Sequence, residues 1–367
     1  MFDKLNWYPP TEADPEVQRP VLDLMNHGGV CAVQDGITES EDTLIGLKAL
    51  EDEGKLHMYF HPQPLAKSLE DIDDAIKQAK DWQQRYGCRH ITVDTIKMLI
   101  DGTNELATGA VLEPLNLTEA EDKADPYGVL NVPEDDLTEI FCRINRAGLN
   151  AQLHIVGDRA FRVSVNAYYR AKSLEEESGK EWIAKITLLH CELVHPDDRL
   201  RLATPDLYVN VTTFFAAGSF GETAKLYLGE ERFNSMFAYQ DMISNGAVVN
   251  FSSDMVDGEG LPLVNPFVGI RVGLQRMLPE FGMSEPRPEA SERFTLEQLL
   301  YGYTINNAKG MGIDDITGSL EAGKYANLLI LPGNIFDMTS DEIGEIIPDT
   351  YMFEGQIIET RDFRENE

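Results

Sequence analysis

The chain has 367 residues, 43% of them hydrophobic, and its 31 Lys and Arg stand against 63 Asp and Glu, for a formal net charge of −32. That charge argues against nucleic acid and anionic membrane surfaces as partners, since both need basic patches. No apolar run reaches the ~18–20 residues of a membrane-spanning helix, and no signal-peptide core follows Met1 to Trp7, so a cytoplasmic protein with one large core is expected.

In chain order, residues 1–17 read as a Pro-rich, acidic arm. Pro20 to His27 is a short amphipathic helix stopped by Gly28 and Gly29. Val30 to Gly36 reads as a buried strand and turn, Thr38 to Glu53 as a helix, and Leu56 to Phe60 as the next strand. Ser68 to Tyr86 is helical up to Gly87, and Ile91 to Ile100 is a strand closed by Asp101-Gly102. The stretch from Thr103 to about Val132 is long for a structureless connection, which points to a functional loop.

Pro133 to Ala147 follows as a helix, Asn150 to Val156 as a strand, Ala160 to Ser173 as a helix and Ile186 to Leu193 as a strand. Pro196 to Ala203 starts a helix with Pro and two acids in its first turn. Leu207 to Phe215 and Ala247 to Ser252 are strands with a helix between them, and Thr295 to Asn307 is a helix. After Gly310 the pattern turns to short strands, Leu328 to Leu331 and Tyr351 to Ile358. Cys31, Cys88, Cys142 and Cys191 form no Cys-x-x-Cys pair and read as free thiols in a reducing compartment.

Strands alternating with helices over about 300 residues fit an α/β fold of the TIM-type (β/α)8 barrel class. Seven strands precede the β tail where such a barrel has eight, and the strand lacking is the first. Its absence would leave two unpaired edges.

Barrel strands deliver their C-terminal residues to one pocket. In an eight-strand count, Lys97 lies in the fourth strand, and His154, His190 and Asp254 end the fifth, sixth and eighth. Two imidazoles and a carboxylate are ordinary ligands of Zn, Fe or Mn ions, and such a cation acidifies water for attack. A neighbouring carboxylate can take the proton and hand it to a leaving group. A buried neutral lysine can react with CO2 to become an anionic ligand. Each residue alone has a plainer reading: a core histidine, a turn-forming aspartate, a lysine reaching solvent, Asp101-Gly102 as a turn. Their joint order carries the argument. His27, His57, His61, His90 and His195 lack such companions and read as structural or surface residues, His61 with a place on the rim as its alternative.

These residues resemble the amidohydrolase superfamily, and within it amidohydrolase family 3, which includes N-substituted formamide deformylases. Lys97 with Asp101-Gly102 is similar to the family's Lys followed by Asp-Gly. His154-Ile155-Val156-Gly157-Asp158-Arg159-Ala160 is similar to its His-x-x-Gly-Asp-Arg-Ala and is the most specific match. His190-Cys191-Glu192 followed by His195-Pro196-Asp197-Asp198, then Ser252-Ser253-Asp254, resemble its sixth and eighth strands. The turn-rich Gly318 to Leu328 resembles its return into a β-sandwich domain.

The resemblance implies a barrel over 18–311, part of a composite β domain over 312–360 and a tail over 361–367. It implies one or two divalent metals, zinc foremost, with Lys97 as a carboxylated bridging ligand and His154 and His190 as ligands of one metal. Asp254 would be ligand and general base in the hydrolysis of amide or other C–N bonds. Family members carry a His-x-His pair on the first strand; this chain has none, so an inactive, truncated or non-catalytic binding protein is the alternative expectation. The expected substrate is a small, partly apolar amide met by Asp101, Arg159 and Phe214 and by loops over 103–132, 214–229 and 255–265. A homodimer is allowed.

Overall fold

Strands and helices alternate up to residue 252 and then give way to helices and a small antiparallel sheet, in a computed structural model that describes residues 13–117, 125–255 and 262–358. The first twelve residues of the expected arm, the acidic stretch over 118–124, residues 256–261 of an expected pocket loop and the expected tail lie outside the described residues. Helix α1 (Pro15–His27) begins at Pro15 rather than Pro20, because Asp14 caps it by accepting from the Glu16 N–H and Pro15 suits a first turn. Then come β1 (Ala32–Asp35), α2 (Glu41–Asp52), β2 (Tyr59–Pro62), β3 (Leu65–Ala66), α3 (Ile72–Tyr86) and β4 (Thr95–Leu99). They are followed by α4 (Glu134–Ala147), β5 (Asn150–Ile155), α5 (Asp158–Glu177), β6 (Ile186–His190), α6 (Pro196–Arg199) and β7 (Leu207–Thr212). The single helix expected next is two, α7 (Ala224–Asn234) and α8 (Tyr239–Ser244), before β8 (Val248–Ser252).

Strands β3 to β8 form one parallel sheet in sequence order, and β1 pairs in parallel with β2. An isolated parallel bridge pairs Phe60 of β2 with Ile91, which precedes β4. Paired residues project to the same face and neighbours along a strand to opposite faces. One face therefore carries Ile96, Met98, Leu153, Ile155, Ile186, Leu188, Val209, Val211, Val249 and Phe251, all buried. It packs into the main core with Phe141 and Ile144 of α4 and Phe161 and Val165 of α5, each such side chain contributing about 1.5–3 kcal/mol.

The other face is polar, with Lys97, Gln152, His154, Asn210, Asn250 and Ser252. Asn210 donates to Asn250 at 2.7 Å, Ser252 donates to Asn210 at 2.6 Å, and Gln152 of β5 donates to Gln34 of β1 at 3.2 Å. A sheet apolar towards helices and polar on its other side is the local condition for a pocket at its strand ends.

Helix α9 (Pro266–Gln275) was not expected from the sequence. Gly269 and Gly273 weaken its helical signal, and packing explains both: a Cβ at Gly269 would lie 1.9 Å from the Tyr303 hydroxyl, and one at Gly273 2.6 Å from Leu299. The expected helix over Thr295 to Asn307 is α10 (Leu296–Tyr301), a π-helical segment over Gly302–Asn306, and α11 (Asn307–Met311). Side-chain amides of Asn306 and Asn307 donate to the Val249 and Phe251 carbonyls of β8, both at 2.9 Å. These two carbonyls of a strand paired only with β7 among the described residues are thus satisfied by side chains.

Beyond α11, β9 (Leu328–Ile330), β10 (Thr350–Phe353) and β11 (Gln356–Ile358) form an antiparallel sheet, with α12 (Ser340–Gly344) packed on α9. The single strand expected over Tyr351 to Ile358 is a hairpin. Glu354 and Gly355 both have positive φ, 50° and 84°, as a two-residue hairpin turn requires. The Tyr351 hydroxyl donates to the His57 carbonyl at 2.7 Å and ties this sheet to the body. The four cysteines are free thiols. Among the described residues no helix is long and apolar enough to cross a membrane.

Candidate active site

His154 and His190 meet at the C-terminal ends of β5 and β6, their ring centroids 4.7 Å apart with 63° between planes. His154 reaches this place by ordinary alternation. His190 does not: alternation would send it to the apolar face with Ile186 and Leu188. Left-handed backbone at His190 (φ 66°) and Cys191 (φ 47°) ends the strand, and the ring lies beside His154. Positive φ at non-glycine residues costs energy and concentrates at functional sites. Asp254, just past β8, is left-handed too, at φ 47°.

The backbone around the pair is braced. The Tyr239 hydroxyl donates to the His190 carbonyl at 2.7 Å. Asp101, 3% exposed, accepts the backbone N–H groups of Ala110, Val156 and Gly157 at 3.0, 3.1 and 2.8 Å. Its Oδ1 lies 3.5 Å from His154 Nδ1. Asn104 donates to Glu192 Oε2 at 2.9 Å and to the Val156 carbonyl at 3.4 Å.

Lys97 is buried on the polar face of β4, and no hydrogen bond or ion pair among the described residues engages its ammonium. Burial pushes it down to about 8, with the Asp254 carboxylate pulling it back up. Burial also drives His190 well below the usual imidazole range, with His154 and Lys97 adding to the effect, so it is neutral at pH 7 and offers a lone pair. Asp254 is exposed, yet the rim desolvates its carboxyl enough to raise it, against the pull of Lys97 and His154. Burial raises the Asp101 carboxyl, with His154 and the backbone N–H groups opposing. Glu192 is pushed up to about 8 by burial and by Glu105.

Lys97, His154, His190 and Asp254 thus share one electrostatic neighbourhood. Arg159 and Phe214 make their contacts with other residues. Arg159 donates to the Tyr127 and Gly128 carbonyls at 3.1 and 3.3 Å, its guanidinium 6.0 Å from the Tyr127 ring centre. Phe214 packs edge-on against Phe215 at 4.5 Å, and Phe215 stacks on Phe220 at 4.6 Å and lies 5.8 Å from His190. His61, buried, sits with Nδ1 3.3 Å from Asp94.

Sequence reasoning missed Asn104, Phe215 and Tyr239. Asn104 follows Asp101 by three residues and Phe215 follows Phe214, so their neighbourhood was visible. Tyr239 sits where only a helix was legible and carried no signal.

The donor chemistry fits a divalent cation. Two imidazoles lie side by side, one neutral by burial, with an unpaired amine and a carboxylate in the same field. His154 Nδ1 has no hydrogen-bond partner and faces a buried carboxylate, the arrangement in which the other ring nitrogen serves a metal. Among the described residues, however, no three His, Cys, Asp or Glu side chains converge closely enough to hold an ion.

The model of the amidohydrolase family matches residues 2–358. Protein LONG AFTER FAR-RED 3 of Arabidopsis thaliana is 21% identical over 231 residues, 63% of this chain and 38% of that protein. N-substituted formamide deformylase of Arthrobacter pascens is 24% identical over 214 residues, 58% of this chain and 37% of that enzyme. The chain therefore spans well under half the length of these two curated relatives. The crystal structure of an uncharacterized metal-dependent hydrolase from Pyrococcus furiosus superposes with a TM-score of 0.66 at 20% identity, covering 88% of this chain and 61% of the other, a likeness of fold. With the family's model matched over nearly its whole length, the chain belongs to the amidohydrolase family.

Proposed function

We propose that the chain is a metal-dependent hydrolase of amide or other C–N bonds in small molecules. The observation that carries this reading is the contact of His154 with His190 at the strand ends, in one field with Lys97 and Asp254. Family membership and the relative named as a formamide deformylase support it. We infer that the parallel strands are those of a (β/α)8 barrel, and that β9 to β11 are part of a β-sandwich.

His154 and His190 would hold one divalent ion, zinc foremost, with Lys97, in carboxylated form, bridging to a second where two are bound. The ion supplies Lewis acidity and lowers the pKa of water. Asp254 takes the proton of the attacking water and delivers it to the leaving nitrogen. Desolvation at the rim raises its carboxyl above the ordinary value, which makes the carboxylate the stronger base towards the attacking water. Phe214, Phe215 and Phe220 give the rim an apolar wall beside His190 for the substrate's substituent, with Asp101 and Arg159 as the further proposed substrate contacts. A cytoplasmic location and a homodimer are part of the same proposal.

A second reading is a non-catalytic amidohydrolase-like binding protein. Two observations favour it: the chain has no His-x-His, and no three-donor cluster occurs among the described residues. Metal content and turnover of N-formyl and N-acyl amines by the purified chain and by Asp254→Asn separate the two. Bound metal with turnover lost in the variant supports the hydrolase. Absence of both metal and Asp254-dependent turnover leaves the binding protein.

A further inference from the structure

We propose that Arg287 is a positioning residue for substrate selectivity: it holds Phe220 against Phe215 beside His190 and so shapes the apolar wall that receives the amide's substituent. This role rests on the reading of that wall as part of a substrate pocket, and it assigns the shape of the wall to a buried cation behind it.

Arg287 is 2% exposed and lies in the stretch between α9 and α10. Its guanidinium sits between two rings, 4.3 Å from the centre of Phe233 and 4.5 Å from that of Phe237. Nη1 donates to the Phe220 carbonyl at 2.8 Å and Nη2 to the Phe233 carbonyl at 3.4 Å. The fork thus joins the turn before α7 to the last turn of that helix. The Phe220 N–H donates in turn to the Ala217 carbonyl at 3.0 Å, so both backbone polar groups of Phe220 are engaged. From this fixed backbone its ring stacks on Phe215 at 4.6 Å, and Phe215 lies 5.8 Å from His190.

A second buried arginine fixes the first. Arg276, also 2% exposed, follows α9 in left-handed backbone (φ 57°). Its guanidinium donates to the carbonyls of Arg287, Phe237, Pro288 and Glu292 at 3.3, 3.3, 3.0 and 3.4 Å. Its own carbonyl accepts from the N–H groups of Gly218 and Arg287, both at 2.9 Å. Among the described residues neither guanidinium forms an ion pair. Burial pushes Arg287 down to about 10, with Arg276 adding to the effect and Glu192 and Glu105 opposing it, so it is charged at pH 7. Stability alone does not call for such a cation, since apolar side chains of similar volume commonly replace buried charges without loss. Two carbonyls on separate turns and two flanking rings call for a flat cation with a fixed fork. Lysine, a point charge on a flexible stem, cannot meet all four.

The test compares the full chain with Arg287→Lys, both labelled with 4-fluorophenylalanine. Fluorine signals of Phe220 and Phe353 are assigned through Phe220→Leu and Phe353→Leu. Arg287→Lys should move the Phe220 signal towards its value in the urea-unfolded chain and leave that of Phe353, in the β10–β11 hairpin, in place. A Phe220 signal unmoved in the folded variant would overturn the proposal. KM for N-benzylformamide should rise about 3–10-fold, the order of one aromatic contact, with kcat held within about two-fold. A fall in kcat at unchanged KM would equally overturn it. Arg287→Met, which fills the space between the rings without the fork, carries the same expectations should Arg287→Lys fail to fold. N-benzylformamide titrated into the wild-type chain should itself shift the Phe220 signal, and no shift would overturn the proposal whatever the variants do. In a chain that binds this probe without turnover the hydrolase reading fails, and the same 3–10-fold is read in Kd.

Discussion

His190 lies with its ring centre 4.7 Å from that of His154, although strand alternation would put the two on opposite faces of the sheet. The left-handed φ of 66° at His190 makes the pairing possible. Two imidazoles so close are expected to act as one binding unit. Replacing either with Ala should cost about 100-fold or more in Zn2+ affinity, beyond the range for loss of an outer partner. The double variant should lose less than the sum of the single losses, because each single change already breaks the unit. Titration against a chromophoric chelator measures all three. Fully additive losses would mean that the histidines serve different ions.

Gly157 explains why the His154 motif ends as it does. Its N–H donates to Asp101 at 2.8 Å, and a Cβ placed on it would lie 2.0 Å from the Ala110 carbonyl oxygen, which is backbone and has little freedom to yield. Gly157→Ala should therefore destabilise the chain by about 1–3 kcal/mol, as overpacking typically does. In urea unfolding the midpoint should fall at unchanged slope. A midpoint equal to wild type would show that the loop carrying Ala110 moves aside freely.

What could be read from the sequence follows from how local each feature is. The apolar face of the sheet and the strand carrying His154 were legible because alternation and the Gly157-containing heptad are short-range signals. The turn at His190 was not, since nothing in Leu188-Leu189-His190-Cys191 announces positive φ. It is set by the Tyr239 hydrogen bond to the His190 carbonyl and by the closeness of β5, both tertiary. Helix α9 was hidden by two glycines whose reason is packing against Tyr303 and Leu299. The β10–β11 hairpin was hidden because Glu354, an unusual residue for positive φ, occupies its turn. Its side chain is held there by Tyr59 and Arg89, at 3.0 and 2.9 Å. Each miss is a place where distant contacts overrode local preference.

The phenylalanines beside His190 make a prediction about selectivity. Phe220 stacks on Phe215 at 4.6 Å, and both are half-buried. An aromatic contact is worth about 0.5–1.5 kcal/mol beyond the area it buries. On the proposed function, Phe220→Ala should lower kcat/KM for an N-aryl or N-benzyl amide about 3–10-fold and leave an N-methyl amide within about two-fold, each 1.4 kcal/mol being about ten-fold. Equal losses on both substrates would place Phe220 in the support of the rim and not in contact with the substituent.

Glu175 offers a test of stability far from the site. Its side chain on α5 is fully buried, and Oε1 accepts from Arg146 of α4 at 2.9 Å (Nε) and 2.6 Å (NH2). Burial alone would raise the carboxyl, but the Arg146 guanidinium outweighs it and holds the group below its ordinary value. With the folded value depressed, the unfolded chain binds the proton more readily. The pair's contribution is therefore complete above the ordinary value near 4.5, and it is lost as pH falls through the depressed one. Arg146 is 43% exposed, so solvent screens the pair and its worth is about 1 kcal/mol or less. Glu175→Gln should lower stability at pH 7 by about that amount, and by less as pH falls through the depressed value and wild-type Glu175 itself gains a proton. Urea midpoints of both proteins across pH 3–7 give the comparison. A gap between them that widens towards acid would show that the carboxylate is not stabilised by Arg146.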